Sequence, residues 1–521
     1  MPADKRGLDV PEGEPPSKRL APMDKTTTTT TTTAINTAVM SDKQIIATLK
    51  HPRVESGFLG SPFSAPPAFQ QPAPLCSFSF DENRKLWQDD RCKRFYRGPP
   101  PYNNRHPQQR RAPPVFGADL NYGLDRYVRR DESVAEHLDA LVAALQHRTQ
   151  AATSETERND LDQERRRADV VTWRGIITKI CTAYDQSPDA RFSDPLELNA
   201  MMLDGTLYLE EYASASAKFE KQKKEDDPKM KRMGYYGYSF ESYCTVDNEA
   251  QTHEPFHPTP RKDSALPDPP GWSGDVNTNI QWCQVVKTKL GDNRLVIGGE
   301  VDAVERNIST GREEMVELKT SMQMTPLHRN FGKAMSDQER FEKKLLKFFL
   351  QSYLLGIGKI VVGFRDFHGF LTTHQEFETL RIPRMVRAGQ PIAGRVDNAG
   401  KAVIRQHSVW EPKDSLGFGE QILSFMRKTI SSHTTSSVSE KASGQVEETA
   451  VSENINHPVF RITYKFPFER VEIRALSQSE ILEQVQDSGT SGERVGFLPR
   501  SFYDFVQSRA AADAAAGSTQ P

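Results

Sequence analysis

The centre of the chain carries the clearest pattern of apolar and polar positions. Residues 233–246 are rich in aromatic side chains and predict a helix, while residues 279–304 form two apolar runs around a Gly-Asp-Asn turn, as expected for paired strands. Residues 313–321 predict a third strand, residues 336–357 an amphipathic helix, and residues 359–366 a buried strand. The predicted order is therefore helix, strands, helix, strand.

Away from the centre the pattern is weaker. Residues 130–148 place apolar side chains at helical spacing, with Asp131 as a candidate N-cap. Residues 170–184 begin as a strand-like run and can continue as a helix, and residues 461–476 predict short strands. Both kinds of element therefore recur on either side of the central region.

Three segments lack the apolar content of a folded core. Residues 1–70 contain an unbroken threonine run and Pro-rich stretches, and they predict a disordered N-terminal extension. The Ser/Glu-rich residues 431–456 predict a disordered insertion, and the Ala-rich residues 506–521 predict a flexible tail. One large domain, residues 71–505, is then expected between the two ends.

Charge and cysteine content exclude some classes of protein. The formal net charge of −2 gives no global basic field, so any contact with nucleic acid must use a local patch. Residues 91–111 are one candidate, because they interleave Arg and Lys with aromatic side chains; a basic Pro-rich linker explains the same pattern. The 5 cysteines are scattered without a CxxC pair, which argues against a disulfide framework and against a zinc site.

The remaining composition signals concern location. No apolar run approaches the roughly 18 residues of a membrane span, and no signal-peptide core is visible at the start, so a soluble intracellular protein without a membrane partner is expected. The basic pairs Lys5-Arg6 and Lys18-Arg19 resemble a weak bipartite nuclear-localisation signal, although a charged tail would look the same.

The segment between Gly298 and Ser321 contains the most suggestive chemistry. Glu300 and Asp302 are two residues apart, as are Glu317 and Lys319, so each pair shares a face if it lies on a strand. Three carboxylates that converge would repel each other, and Mg²⁺ or Mn²⁺ removes that repulsion because these ions prefer oxygen ligands. Acids beside a lysine suit metal-dependent hydrolysis of phosphodiesters or pyrophosphates. Ordinary cross-strand salt bridges are the alternative.

Two neighbouring features favour a site over a charged hairpin. The run before Glu300 is mostly apolar, where an uncompensated charge is costly, and Gly298-Gly299 allows a ligand or another backbone to approach closely. Farther along, Gln351 interrupts an apolar stretch and shares a helix face with Lys347. The Gln351 amide can reach a bound phosphate or Lys319, or it can cap a neighbouring carbonyl.

Six motifs follow one another in a characteristic order: TWRG (172–175), GTLY (205–208), MGYYGYSFE (233–241), GGEVD (298–302), VELKTS (316–321) and KFFLQS (347–352). Together they resemble the DXO family of decapping exoribonucleases, and within it the fungal nuclear members that partner the main nuclear 5′→3′ exoribonuclease. The resemblance covers residues 75–505 apart from inserts. It implies an α/β fold in which helices flank mixed β-sheets around a core akin to the PD-(D/E)XK nucleases.

The resemblance also implies roles for individual residues. The implied metal ligands for Mg²⁺ or Mn²⁺, as two ions, are Glu241, Asp302, Glu317 and the Leu318 carbonyl, with Glu300 acting directly or through a bound water. Lys319 and Gln351 would position the nucleophile and the scissile phosphate. The implied substrate contacts also include Arg94, Glu136, Trp173, Arg174, Gly175 and Cys283. For Glu136 a solvated helix face is the alternative, and for Cys283 a small buried residue beside the sheet.

The implied activity is metal-assisted hydrolysis of RNA 5′ ends. Family members release pyrophosphate from 5′-triphosphate RNA and remove unmethylated, aberrant or nicotinamide-adenine caps, and some also degrade RNA 5′→3′. Fungal members bind and stimulate a nuclear exoribonuclease, so the nucleus is the expected location. Two alternatives stay open: a DNA exonuclease with the same core, and a stabilising partner of the exoribonuclease that has little catalytic activity.

Overall fold

The computed structural model describes residues 45–53, 61–100, 118–185, 195–261, 263–326, 329–396, 400–442, 457–486 and 492–517. The helices are α1 (Asp139–Gln150), α2 (Glu155–Arg166), α3 (Arg174–Thr182), α4 (Ala215–Asp226), α5 (Pro228–Cys244), α6 (Phe331–Leu355), α7 (Ile382–Val386), α8 (Pro412–Ala442), α9 (Gln478–Gln484) and α10 (Arg500–Gly517). The strands are β1 (Ile45–Lys50), β2 (Phe69–Phe80), β3 (Leu86–Trp87), β4 (Phe95–Tyr96), β5 (Val170–Trp173), β6 (Leu196–Leu203), β7 (Thr206–Glu211), β8 (Thr245–Val246), β9 (Gln281–Leu290), β10 (Asn293–Glu300), β11 (Ala303–Arg306), β12 (Glu313–Met322), β13 (Lys359–Arg365), β14 (Leu371–Glu378), β15 (Pro391–Val396), β16 (Ala402–Ile404), β17 (Val459–Tyr464), β18 (Arg470–Ala475), β19 (Arg494–Val495) and β20 (Leu498–Pro499).

Two large mixed sheets organise these elements. The ten-stranded sheet has the order β1-β18-β17-β6-β7-β5-β10-β9-β2-β3, and the six-stranded sheet has the order β14-β13-β12-β11-β4-β8. In the first sheet β5 pairs in parallel with both β7 and β10, while β9 and β10 form the antiparallel hairpin that the Gly-Asp-Asn turn predicts. In the second sheet β12 and β13 are parallel neighbours joined by α6. The predicted α/β class with mixed sheets is thus confirmed.

Three apolar clusters fix the layers. The largest lies between the two sheets and includes side chains from α3, α6 and α8. A second cluster covers the other face of the ten-stranded sheet with residues of α1, α9 and α10, and a third packs α5 against the six-stranded sheet. The central helices are amphipathic. Each one therefore packs its apolar stripe against a sheet, while its polar stripe faces solvent or a cleft.

Several sequence-based boundaries need correction. The helix expected from residue 131 begins at Asp139. Asp131 caps a local turn instead, because its Oδ1 accepts a 2.9 Å hydrogen bond from the Ser133 amide. Part of the expected N-terminal extension, residues 1–70, is folded: β1 pairs antiparallel with β18. This strand was missed because its partner lies more than four hundred residues away in the sequence.

The two other segments expected to lack structure are also partly helical. Residues 431–442 of the predicted insertion continue α8, whereas residues 443–456 lie outside the described part of the chain. The predicted tail begins within α10, where Val506 is fully buried against the second cluster. The basic pairs near the N-terminus and residues 101–111 of the basic-aromatic segment are also outside the described residues.

No helix among the described residues is long and apolar enough to cross a membrane. All 5 cysteines are free thiols, which agrees with the absence of a disulfide framework expected from their spacing.

Candidate active site

Glu300 and Asp302 lie where the chain passes from one sheet to the other. Glu300 is the last residue of β10, and β11 begins at Ala303 in the six-stranded sheet. The expectation that both acids stand on one strand of a simple hairpin is therefore wrong, since only residues 303–306 pair with β12. The crossing instead lets these carboxylates meet side chains from both sheets.

The middle of β12 supplies the facing acid and lysine. Val316 and Leu318 point into the apolar cluster under α5, so Glu317 and Lys319 point to the opposite face. Glu317 is fully buried, and the Lys319 ammonium lies 2.5 Å from its Oε1 and 4.0 Å from Asp302 Oδ2. The Leu318 amide donates a 2.6 Å hydrogen bond to the same Asp302 oxygen. Asp302, Glu317, Leu318 and Lys319 are thus brought together as predicted.

The junction between β5 and α3 adds a second cation. Trp173 ends β5 in register with Gly298, and Arg174 opens α3, from where its Nη1 lies 3.1 Å from Glu317 Oε2. A Cβ atom at Gly299 would stand only 3.1 Å from the Arg174 Cβ and 3.2 Å from Leu355 Cδ2. The absence of side chains at Gly298 and Gly299 therefore lets Trp173 and Arg174 pack closely against β10. The two glycines make room for protein side chains rather than for a ligand.

Replacing Gly299 with alanine is expected to lower turnover about tenfold without unfolding the protein. The added methyl would push the Arg174 side chain away from Glu317, and a misplacement of about 1 Å can cost about 100-fold, so a smaller shift is expected to cost about tenfold. Steady-state kinetics with 5′-triphosphate RNA, the substrate that the motif resemblance implies, measure the effect. Gly358→Ala is the matched control, because no atom lies within 4 Å of its Cβ position; equal turnover in both variants would contradict the packing role.

Glu241 reaches the site from the last turn of α5. The backbone carbonyl of Glu241 accepts a 2.8 Å hydrogen bond from Thr245 Oγ1, which in turn accepts a 3.2 Å hydrogen bond from Arg94 Nε. Arg94 also bonds Ser273 at 2.7 Å and pairs with Asp247. A cleft lined by Arg94, Tyr238, Glu241, Gln281, Glu300 and Asp302 opens beside these residues. Arg94 thus borders the site and holds the end of α5.

The electrostatics separate the acids into two kinds. Burial, together with the charges of Asp302 and Glu300, raises the pKa of Glu241 well above its ordinary value. Burial and the charge of Glu317 raise the pKa of Asp302 to about 7. Burial by itself would also raise the pKa of Glu317, but Lys319 and Arg174 more than offset it and hold that pKa low. Glu317 therefore gives up its proton more readily than Glu241, Glu300 and Asp302 do.

Glu300 is held by a chain of side chains that the sequence did not reveal. Gln281 Nε2 donates a 3.0 Å hydrogen bond to Glu300 Oε2, and Arg84 Nη1 donates a 2.6 Å hydrogen bond to the Gln281 amide oxygen. Arg84 grips Glu136 with two hydrogen bonds of 2.7 Å, and Arg130 lies 3.5 Å from the same carboxylate. Glu136 therefore lies in the turn before α1, paired with cations, and is not a solvated helix face.

Little in the sequence indicated that Arg84 and Gln281 belong to the site. The backbone of Arg84 has a φ of 62°, a left-handed conformation that costs a non-glycine residue about 1 kcal/mol or more and is often retained at functional sites. No residue pattern reports this conformation, and Gln281 looks like an ordinary polar position at the start of β9.

The remaining predicted substrate contacts differ in their surroundings. Trp173 is half-buried, and its indole Nε1 donates a 2.8 Å hydrogen bond to the His137 carbonyl; Gly175 is exposed at the start of α3. Cys283 lies opposite Glu300 in the β9–β10 register, buried in the second apolar cluster, where burial raises the pKa of its thiol. This position suits a small packing residue. Gln351 is half-buried on α6, and its amide makes no hydrogen bond to Lys319 or a carbonyl within the described chain.

The donor set fits a hard divalent cation by its chemistry. Four carboxylates and the Leu318 backbone lie in this region, and burial, with the charge of neighbouring acids as a smaller cause, raises the pKa values of Glu241, Glu300 and Asp302. Among the described residues, no three Asp, Glu, His or Cys side chains stand ready at metal-ligand spacing. In this arrangement Lys319 and Arg174 contact the two Glu317 oxygens, and the Leu318 amide donates a hydrogen bond to Asp302.

Acids at the crossing between the two sheets, together with Glu317 and Lys319 of β12, are the groups that metal-assisted hydrolysis requires. The family model described as "RAI1 like PD-(D/E)XK nuclease" matches residues 70–503. The chain belongs to this family, which confirms the resemblance drawn from the six motifs and the prediction of an enzyme of the decapping nuclease class.

Curated relatives agree with the family. The chain is 71% identical over 513 residues to the decapping nuclease RAI1 of Mycosarcoma maydis, which covers 97% of this chain and 99% of the relative. It is 31% identical over 376 residues to the human decapping and exoribonuclease protein, covering 71% and 78% of the two chains.

Solved structures share the fold. Rai1 of Candida albicans, in complex with pU5 and Mn²⁺, matches with a TM-score of 0.56 at 19% identity and covers 89% of this chain and 100% of that one. Rai1 of Scheffersomyces stipitis, in complex with (3′-NADP)⁺ and calcium ion, also has a TM-score of 0.56 at 19% identity, covering 86% and 97%.

Proposed function

We propose that this protein is a metal-dependent hydrolase of RNA 5′ ends that releases pyrophosphate from 5′-triphosphate RNA and removes unmethylated, aberrant or nicotinamide-adenine caps. The observation that carries the proposal is a cleft lined by Glu241, Glu300 and Asp302, with Glu317 and two cations, Lys319 and Arg174, next to Asp302. Acids for metal ions and cations for phosphate oxygens are both needed to cut a phosphoanhydride, and a salt bridge on a surface needs neither burial nor a cleft.

Mg²⁺ or Mn²⁺ would be held by Glu241, Asp302 and Glu317 with the Leu318 carbonyl, and Glu300 would act beside it; the metal would supply Lewis-acid chemistry and neutralise phosphate charge. Lys319 and Arg174 are the cations that would turn to phosphate oxygens, since both already contact the Glu317 carboxylate. The chain from Glu136 through Arg84 and Gln281 fixes the orientation of Glu300. When Lys319 and Arg174 turn to phosphate oxygens and Glu317 binds the metal ion, each buried charge would exchange one partner for another. Substrate binding would therefore leave no buried charge unpaired.

The same residues can serve several 5′ ends. Each reaction places a different phosphorus at the same acids and cations, so the choice depends on how the cleft fits the leaving group. The names of the relatives, decapping nuclease and decapping and exoribonuclease protein, support cap removal and leave room for 5′→3′ degradation. The Mn²⁺ and pU5 bound to the Candida protein are consistent with a divalent ion and with an RNA 5′ end as substrate.

The test is an incubation of purified protein with end-labelled 5′-triphosphate, unmethylated-cap and nicotinamide-adenine-capped RNAs, with Mg²⁺, with Mn²⁺ and with chelator, followed by identification of the products. Metal-dependent release of pyrophosphate or of the cap is the expected result. Cleavage of single-stranded DNA alone would favour the DNA exonuclease alternative. No cleavage combined with higher activity of an added exoribonuclease would favour a stabilising role.

Metal affinity is expected to fall about tenfold for each pH unit below 7. The pKa of Asp302 is raised to about 7 by burial and by Glu317, so a bound proton must leave before this carboxylate can hold a cation. Isothermal titration of Mn²⁺ between pH 5.5 and 8 measures the dependence. The stability of the metal-free protein is expected to change in the opposite direction. Because the pKa of Asp302 is higher in the folded than in the unfolded state, the free energy of unfolding falls as the pH rises toward 7. An affinity that is flat from pH 6 to 8 would contradict the assignment.

Two parts of the sequence-based expectation stay predictions. Binding to a nuclear 5′→3′ exoribonuclease and a location in the nucleus rest on the resemblance to fungal members of the family. Co-purification of the chain with that exoribonuclease, and imaging of a fluorescent fusion, test them.

A further inference from the structure

A row of basic side chains on α6 leads away from the candidate active site. Arg340, Lys344 and Lys347 stand eleven, seven and four residues before Gln351, so all four share one face of the helix. At a rise of 1.5 Å per residue, Arg340, Lys344 and Lys347 lie about 16, 10 and 6 Å from Gln351 along the helix axis. Lys344 and Lys347 are exposed.

The topology fixes the direction of this row. β12 and β13 are parallel and α6 connects them, so the helix runs antiparallel to β12. Its C-terminal end leads into Lys359, which pairs with Val316 beside Glu317; the other end of the register pairs Met322 with Arg365. The row therefore begins at the level of the catalytic acids and ends at the level of Arg365.

Arg365 is an unusual companion for these lysines. It is only 6% exposed, and its guanidinium lies 4.5 Å from the centre of the Tyr236 ring. Its Nη1 donates to the Asp366 carbonyl at 3.3 Å, whereas its buried Nε has no hydrogen-bond partner in the described part of the chain. A buried arginine without a carboxylate is costly unless a ligand or solvent anion meets it.

Other lysines of α6 do find acids. Lys343 lies 2.9 Å from Glu339, and Lys333 lies 2.8 Å from Asp337. Within the described residues no carboxylate lies within 4.0 Å of Lys344 or Lys347, and the only one that near to Arg340 is Asp337 at 3.7 Å. Burial and the nearby charges of Arg365 and Arg340 lower the pKa of Lys344, so these cations repel one another. The repulsion marks a place where an extended anion would be stabilised.

We propose that Arg340, Lys344, Lys347 and Arg365 form a phosphate track that binds the body of the RNA downstream of the 5′ end held at Gln351 and the acids. A single strand presents a row of phosphates, which matches a row of cations better than a single anion does. The proposal rests on the proposed function for its direction, because the 5′ end must lie at the acids. It adds that substrates longer than a few nucleotides gain affinity from a surface outside the catalytic cleft.

The experiment compares a dinucleotide with a 20-nucleotide RNA, both 5′-triphosphorylated. The variant is Lys344→Gln/Lys347→Gln, and the matched control is Lys218→Gln/Lys428→Gln, which removes the same charge from exposed positions on two other helices, α4 and α8. Turnover gives kcat/KM for each substrate. Fluorescence anisotropy in chelator, with a labelled 20-nucleotide RNA at several salt concentrations, gives affinity without any cleavage.

The track variant is expected to lower kcat/KM for the long RNA about tenfold relative to the dinucleotide. The slope of log affinity against log salt should fall by about 1.4, since each lost phosphate contact on a single strand contributes about 0.7. Equal ratios and slopes in the track variant and the control would overturn the track. If wild-type protein cleaves neither RNA, the proposed function fails, while the anisotropy slopes still decide whether the track exists.

Discussion

Asp302→Asn is expected to reduce pyrophosphate release from 5′-triphosphate RNA by about 1,000-fold or more while the protein stays folded. The substitution removes the charge that a cation requires, and a lost metal contribution of several kcal/mol corresponds to this factor. The amide oxygen of asparagine can still accept the hydrogen bond that the Leu318 amide now donates to Asp302 at 2.6 Å. Initial rates in Mg²⁺ and in Mn²⁺, with circular dichroism as a check on folding, measure the result.

The stability of the same variant separates a metal site from a structural acid. Because burial and Glu317 raise the pKa of Asp302 to about 7, ionised Asp302 is unfavourable in the metal-free protein. The neutral variant should therefore melt at the same temperature as wild type or higher when chelator is present, and it should lose the rise in melting temperature that metal produces. Glu313→Gln, at an exposed position at the start of β12, is the control. A folded Asp302→Asn protein with wild-type turnover would disprove the assigned site.

The contrast between the two acid pairs shows what a sequence can predict. Glu317 and Lys319 were placed correctly because an alternating strand fixes which side chains share a face. Glu300 and Asp302 have the same spacing, yet the chain leaves one sheet between them, and that depends on pairing with distant strands. Local periodicity carries no information about such a crossing.

The sequence did not predict the side chains that hold Glu300 for a related reason. Arg84 contacts Glu136 and Gln281, which lie 52 and 197 residues away along the chain. No motif links these positions, so only the folded arrangement connects them to Glu300. The terminal boundaries were misjudged similarly: β1 and α10 are stabilised by β18 and by the second apolar cluster, rather than by a strong pattern of their own.

Glu317→Gln is expected to affect both activity and stability. Glu317 is fully buried between two cations, with the Arg174 Nη1 at 3.1 Å and the Lys319 Nζ at 2.5 Å. Removing the charge leaves those cations without their nearest carboxylate, and breaking a buried pair in this way costs roughly 3 kcal/mol. Urea unfolding in chelator measures the loss of stability, and turnover should fall at least as far as it does in Asp302→Asn.

A second substitution distinguishes the two effects. In Glu317→Gln/Lys319→Met the unpaired ammonium is also removed, so part of the lost stability should return, with a coupling free energy of about 1 to 3 kcal/mol. Activity should stay absent, because neither the metal ligand nor the phosphate contact is restored. The pair Lys93–Glu313, in which the Glu313 side chain is exposed and the nitrogen and oxygen are 3.1 Å apart, is the matched control, and Glu313→Gln should cost less than about 1 kcal/mol. If the double variant regained turnover, Glu317 would be a structural counterion for Lys319 and not part of the catalytic machinery.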